Sequence, residues 1–312
     1  MSRIRIATRG SDLARAQANW VAERFGERFG VDAELKVIQT TGDRILDQPL
    51  AKIGGKGLFV KEIEAALLEG EADVAVHSAK DLPAHVPPPL RLVAFPERVD
   101  PRDALVVREP GQSLAELPRG AKVGTGSVRR TALLRAFRPD LEIVAMRGNV
   151  PTRLRKLDEE RLDAVVLACA GLERLGMADR IGERIDTETM LPAVCQGALA
   201  LEVREGSEWA DRVAELDDPE TAITVSAERA FLAALEGDCS VPLAALCEIS
   251  VENEATLRGL VSTPEGDRVI RAERKLEAAV VDAAKAGAEL AEEILGEGGA
   301  EVLAALRTEG AT

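Results

Sequence analysis

Along most of this chain a short strand-like run breaks into a polar loop and then into a helix, and that alternation restricts the fold more than any other feature. Residues 3–7 alternate polar and apolar, stop at Thr8-Arg9-Gly10-Ser11-Asp12, and give way to a helical pattern ending near Phe29. The same grammar predicts strands at 33–39, 73–76, 121–123, 141–145, 163–168 and 198–203, with helices at 58–69, from Val128, from Pro151, after Gly171 and near Trp209. Strands and helices in alternation imply α/β lobes with parallel sheets, in which ligands bind beyond the carboxyl ends of the strands. Arg9, Lys80, Arg129, Arg130 and Arg147 all fall at such ends, so a cleft for a polyanion between two lobes is expected.

Proline-rich or irregular stretches at 96–102 and 190–197 read as crossings between the lobes. They divide the chain into a first α/β domain, 1–98 together with 196–217, and a second, 99–195. From Asp218 the pattern changes to a helix, three strands with turns between them, and a helical tail. This predicts a small α+β third domain, 218–312, with an antiparallel sheet.

Two glycine-rich stretches resemble nucleotide motifs and fail as such. Around Gly55-Lys56 the P-loop positions hold Leu50 and Gly57, so the segment is read as a lid carrying Lys52 and Lys56. Gly124-Thr125-Gly126-Ser127 lacks the third glycine of a dinucleotide fingerprint, since Arg129 stands there. A Gly/Ser loop at a helix N-terminus is still an anion site, and the adjacent arginines strengthen it.

Charge sharpens that reading. Lys and Arg number 40 against 54 Asp and Glu, a formal net charge of −14, which opposes nucleic-acid binding. With no tyrosine and 3% aromatics there is also little with which to stack bases. No apolar run is long enough to span a membrane, and the chain opens directly into a strand, so a cytoplasmic protein is expected. The four cysteines, Cys169, Cys195, Cys239 and Cys247, show no metal-ligand spacing, and no metal is expected.

Cys239 lies in Leu235-Glu236-Gly237-Asp238-Cys239-Ser240-Val241-Pro242, after a helix predicted from the N-cap Asp218, through Pro219, to Gly237. A helix C-terminus and a neighbouring Asp238 disfavour a thiolate, so a cysteine hydrolase is not expected. A permanent thioether, formed once, suits the place better than that, although from this residue alone a small apolar filler is the stronger reading, with Gly237 and Pro242, which expose the loop, narrowing the gap.

Taken together, Ile6-Ala7-Thr8-Arg9-Gly10-Ser11, Gly54-Gly55-Lys56-Gly57-Leu58-Phe59, Val76-His77-Ser78-Ala79-Lys80-Asp81, Val123-Gly124-Thr125-Gly126-Ser127-Val128-Arg129-Arg130, Arg147-Gly148-Asn149 and Leu235-Glu236-Gly237-Asp238-Cys239 resemble the porphobilinogen deaminase (hydroxymethylbilane synthase) family along essentially the whole chain. The resemblance implies two periplasmic-binding-protein-like lobes and a third domain. It implies a dipyrromethane cofactor on Cys239, onto which four porphobilinogens are added with loss of ammonia before the linear tetrapyrrole is released. Lys80, Ser127, Arg129 and Arg130 would bind the cofactor, Arg9, Ser11, Arg147 and Arg153 the substrate, and Asp81 would be the catalytic carboxylate. A monomer is expected. Gly126, Asp238, Cys195 and Pro151 depart from the family pattern, the first replacing a serine and the others glycines. The competing classes are a bilobal anion-binding protein without catalysis and a pyridoxal enzyme using Lys56.

Overall fold

The computed structural model describes residues 3–44, 60–236 and 241–309. Cys239, Asp238 and the lid lysines Lys52 and Lys56 lie outside the described residues.

The first lobe begins with β1 (Ile4–Arg9), α1 (Asp12–Phe29) and β2 (Ala33–Ile38). Helix α1 starts where Ser11 accepts a hydrogen bond from the Ala14 N–H, and it ends at Gly30, whose left-handed backbone (φ 61°) turns its N–H onto the Gly26 carbonyl. Its buried face, Ala18, Val21 and Phe25, packs with Ile4 and Ile6 of β1. After the short α2 (Thr41–Arg44) come α3 (Lys61–Leu68), β3 (Val74–Ser78) and β4 (Leu90–Ala94). The sheet is completed from far along the chain by β10 (Leu199–Arg204), in the order β2-β1-β3-β10-β4, and α7 (Ala210–Ala214) follows.

The second lobe repeats this plan with β5 (Asp103–Val107), β6 (Lys122–Thr125), α4 (Val128–Phe137), β7 (Glu142–Ala145), α5 (Val150–Glu159), β8 (Ala164–Ala168), α6 (Cys169–Arg174) and β9 (Glu183–Arg184). Its sheet order is β7-β6-β8-β5-β9.

Wholly parallel sheets were expected, and the structure corrects this. β10 runs antiparallel to both β3 and β4, and β5 antiparallel to both β8 and β9. The physical reason lies in the crossings: each delivers a strand that enters its lobe from the opposite end. β4 and β5 flank the first crossing and carry no loop-to-helix signal, so the alternation did not reveal them. Gly124 and Thr125, expected in a loop, belong to β6.

The third domain consists of α8 (Pro219–Ala234), β11 (Leu243–Ile249), β12 (Glu254–Ser262), β13 (Val269–Glu277), α9 (Val280–Ile294) and α10 (Ala300–Glu309). Asp218 caps α8 by accepting the Thr221 N–H at 2.8 Å. The three strands form an antiparallel meander on which α8 and α9 lie. Phe231 is fully buried there, in the core with Leu257, Leu290 and Ala227, and truncating such a phenylalanine costs about 3–5 kcal/mol.

Candidate active site

Both lobes direct strand ends into the space between them. Arg9 is the last residue of β1, and β3 runs into a short turn, Ala79–Asp81, that presents Lys80 and Asp81. From the other lobe, β6 leads to Ser127, which caps α4 by accepting the Arg130 N–H, so Arg129 and Arg130 lie in that helix's first turn. β7 leads to Arg147, and Asn149 caps α5, which carries Arg153. Two helix N-termini thus add their partial positive charge to that of the side chains. A Cβ placed on Gly171 of α6 would be in van der Waals contact with Leu13 of α1, so the lobes meet there.

Two adjoining cavities occupy this space and share Gln17 and Ser78 in their walls. One is lined by Arg9, Ser11, His77 and Asp81. The other is lined by Lys80, Arg130, Arg153 and Arg174. Arg9 and Asp81 approach to 3.8 Å, both partly exposed. Crowding by protein atoms brings the Lys80 ammonium down to about 8, with Asp81 opposing and Arg130 reinforcing the shift. The residue as a whole is nevertheless exposed, so a ligand can reach it. Burial, then the like charges of Arg130 and Arg147, lowers Arg153 to about 10.

Arg129 and Arg130 are organised by a residue the sequence did not single out. Asp103, fully buried at the start of β5, accepts from Arg129 at 2.7 and 3.3 Å, from Arg130 at 2.7 and 3.0 Å, and from the Gln196 amide at 2.8 Å. Burial alone would push its carboxyl up, and the two guanidinium groups instead hold it well below the usual carboxylate range. Arg129 also donates to the Leu191 carbonyl and Arg130 to that of Val166. The Arg129 guanidinium therefore faces the protein body, while Arg130 also borders a cavity.

Gln196, in the return crossing, bridges Asp103, the Pro101 carbonyl and, at 3.3 Å, the Lys80 ammonium. Beside it, Arg98 of the first crossing donates to the Gln196 carbonyl and to Glu228 of α8. Glu228 is fully buried and also accepts the N–H groups of Cys195 and Cys247. One carboxylate thereby joins both crossings to the third domain.

A model described as the porphobilinogen deaminase dipyromethane cofactor binding domain matches residues 4–212, and one for the C-terminal domain of the same enzyme matches residues 222–296. The chain belongs to the porphobilinogen deaminase family. It is similar to porphobilinogen deaminase of Syntrophotalea carbinolica, at 51% identity over 98% of this chain and 96% of that protein. It is also similar to that of Nitratidesulfovibrio vulgaris Hildenborough, at 50% identity over 100% of this chain and 99% of that protein. Among solved structures, the periplasmic aliphatic sulphonate binding protein of Escherichia coli covers 76% of this chain and 71% of its own at a TM-score of 0.39 and 14% identity, too low to bear on the assignment. Porphobilinogen deaminases polymerise porphobilinogen in tetrapyrrole biosynthesis, and they carry a dipyrromethane cofactor. The cationic lining around Lys80, Arg130 and Arg153 fits a group bearing carboxylates. Among the described residues no helix is long and apolar enough to cross a membrane.

The departures from the porphobilinogen deaminase pattern have structural readings. Cys195 adopts φ 59°, the left-handed region that favours glycine, and its buried thiol is pushed up by desolvation and by Glu228. Pro151 lies in the first turn of α5, where its missing N–H is not needed. At Gly126 a Cβ would fall on the Met146 carbonyl oxygen, so this backbone leaves no room for the serine side chain. Cys169 and Cys247 are buried as expected, their thiols raised by desolvation to about 11 and about 12.

Asp103, Gln196, Arg98 and Glu228 escaped the sequence reading. A signal existed for two of them: Asp103 heads the apolar run Ala104–Val107, and Glu228 interrupts the buried stripe of α8. An acid in an apolar run marks a buried partner of opposite charge.

Proposed function

We propose that the chain adds four porphobilinogens head to tail on a dipyrromethane primer tethered to Cys239, and releases hydroxymethylbilane. The observation that supports this most is the convergence of Arg9, Ser11 and Asp81 on one cavity and of Lys80, Arg130 and Arg153 on the next. Adjoining basic cavities suit a chain whose every ring carries two carboxylates. The sheet memberships accord with domains at 1–98 with 196–217, 99–195 and 218–312.

The primer, when bound, supplies a permanent tether and the first acceptor ring. Lys80, Ser127, Arg129 and Arg130 would hold its carboxylates, Arg129 chiefly by steadying Asp103 beside Arg130. Arg9, Ser11, Arg147 and Arg153 would orient the incoming ring, and Lys52 and Lys56 would cover it. Asp81 would accept a hydrogen bond from the pyrrole N–H while loss of ammonia leaves the substrate ring cationic. At about 4 Å and an effective dielectric near 20 that attraction is roughly 4 kcal/mol before desolvation. Only the share gained in the transition state speeds the reaction.

Intact mass tests the tether. Purified protein should exceed its sequence mass by two pyrrole units, and Cys239→Ala should fold without the increment. The full increment in that variant overturns the assignment.

A further inference from the structure

The cavity that holds Arg9 and Asp81 has an imidazole in its wall. His77 is 5% exposed and lines that cavity, and its Nε2 lies 2.9 Å from Oε2 of Glu202, a residue with no exposure at all. The register explains the juxtaposition. β1 and β3 pair Ile6 with Val74 and Ala7 with Ala75, and continuing that offset sets Arg9 beside His77 on one sheet face. β10 pairs Glu202 with Ala75, one pleat back on the same face. The row therefore reads Glu202, His77, Arg9, Asp81, two acids with two basic groups between them.

Ile63 and Val76 line the same cavity as His77, and among the described residues the second oxygen of Glu202, Oε1, is buried without a hydrogen-bond partner. Among the described residues, Glu64 of α3, with Lys61 beside it, and Arg229 of α8 also feel the charge of this pair or of Glu202. Burial and the negative charge of Glu202 push the Glu64 carboxyl up. A buried carboxylate with a single hydrogen-bond partner is costly at rest, and its attraction for that partner grows if the partner becomes cationic.

We propose that His77, oriented by Glu202, is a second proton-handling residue of the polymerisation, receiving the α-proton of the acceptor ring. The inference rests on the reading of the reaction given above. Nε2–H donates to Glu202, which leaves the Nδ1 lone pair free to accept. As a porphobilinogen-derived ring couples to the next, the C–N bond of the aminomethyl group breaks and its electron pair leaves with ammonia. The α-carbon of the acceptor ring then uses a ring π pair to form the new C–C bond. The α C–H bond breaks last: its electrons restore the aromatic ring and its proton passes to Nδ1. The resulting imidazolium is met by Glu202, so the interaction strengthens only as the proton arrives. Asp81 stays free to face the cationic ring.

The chain contains only two histidines, His77 and His85, so nitrogen-15 labelling of histidine in the primed protein gives two imidazole spin systems that single substitutions assign. The spectrum should show His77 protonated at Nε2 and bare at Nδ1, and Glu202→Gln should shift those signals. A proton on Nδ1 in the resting enzyme overturns the proposal. For the chemistry, His77→Gln, with primer load confirmed by mass, should turn over about 10²-fold more slowly. With α-deuterated porphobilinogen it should show a larger isotope effect than wild type. A merely structural pair would lower the melting temperature and leave the isotope effect at the wild-type value. If His77→Gln does not fold, the same isotope measurement on Glu202→Gln decides. A wild-type protein that builds no ladder of added rings sinks the underlying reading, whereas a normal ladder with unchanged isotope effects in both variants sinks only this inference.

Discussion

The two lobes carry the same kinds of side chain at their strand ends and hold them in opposite ways. In the second lobe Arg129 and Arg130 are 4% and 5% exposed and share one buried carboxylate, Asp103. In the first, Arg9 and Asp81 meet at 3.8 Å with side chains 23% and 37% exposed, and Lys80 reaches water. A cation fixed and largely neutralised in the resting protein suits a group that stays bound. The partly exposed pair of Arg9 and Asp81 would suit a ring that arrives, reacts and moves on, while Lys80, held by Gln196, would serve the bound group. The same kinds of side chain are thus held differently in the two lobes chiefly by burial.

Stability should break this symmetry most strongly. Arg130→Leu leaves Asp103 buried with fewer donors, at a cost of about 3–5 kcal/mol. Arg9→Leu removes a partly exposed pair with Asp81, itself worth about 0–1 kcal/mol, and should cost less. Urea titration of both variants gives the difference, and equal losses would erase the contrast. By mass, Arg130→Leu should be mainly unprimed, while Arg147→Leu should be primed and stall during elongation.

Catalysis should run the other way. Asp81→Asn keeps shape and hydrogen bonding but loses charge, so kcat should fall on the order of 10²-fold with the melting temperature almost unchanged. The variant must first be primed with preformed tetrapyrrole and its load checked by mass. Turnover within a few-fold of wild type would remove Asp81 from the chemistry.

The smallest expected effect is on pH dependence. With the Lys80 ammonium lowered to about 8 in the folded protein and near 10.4 when unfolded, Lys80 loses its charge as pH rises through about 8 while the arginines of the site keep theirs. Uptake of preformed tetrapyrrole by the unprimed protein should weaken there, and Lys80→Arg should carry the limb upward. Stability moves oppositely, since between those values the unfolded chain binds more protons and folding gains with pH. An identical alkaline limb in Lys80→Arg would show that another group sets it.

Local signals made much of this legible. Asp218 caps its helix as the residue type suggested, and Ser11, Ser127 and Asn149 cap the helices that the polar loops led into, because capping depends on a few neighbouring residues. The cations at strand ends were readable for the same reason. What escaped depends on distant contacts: strands β4 and β5, the antiparallel insertion of β10, and the buried partners Asp103, Gln196 and Glu228. Glu228 is held by Arg98, 130 residues away, and no periodicity near either residue announces the other.

The insertion of β10 also has a bearing on how the protein is made. All the strands of the second lobe lie within residues 103–184, so its sheet can close as soon as that stretch has left the ribosome. The first lobe, although synthesised earlier, has a gap between β3 and β4 that only residues 199–204 can fill. Its N-terminal strands must wait, with unpaired edges, for more than a hundred residues to follow β4. The sheet of the second lobe can therefore be completed before that of the first, and the edges that wait longest for a partner in a nascent chain are those of the lobe made first.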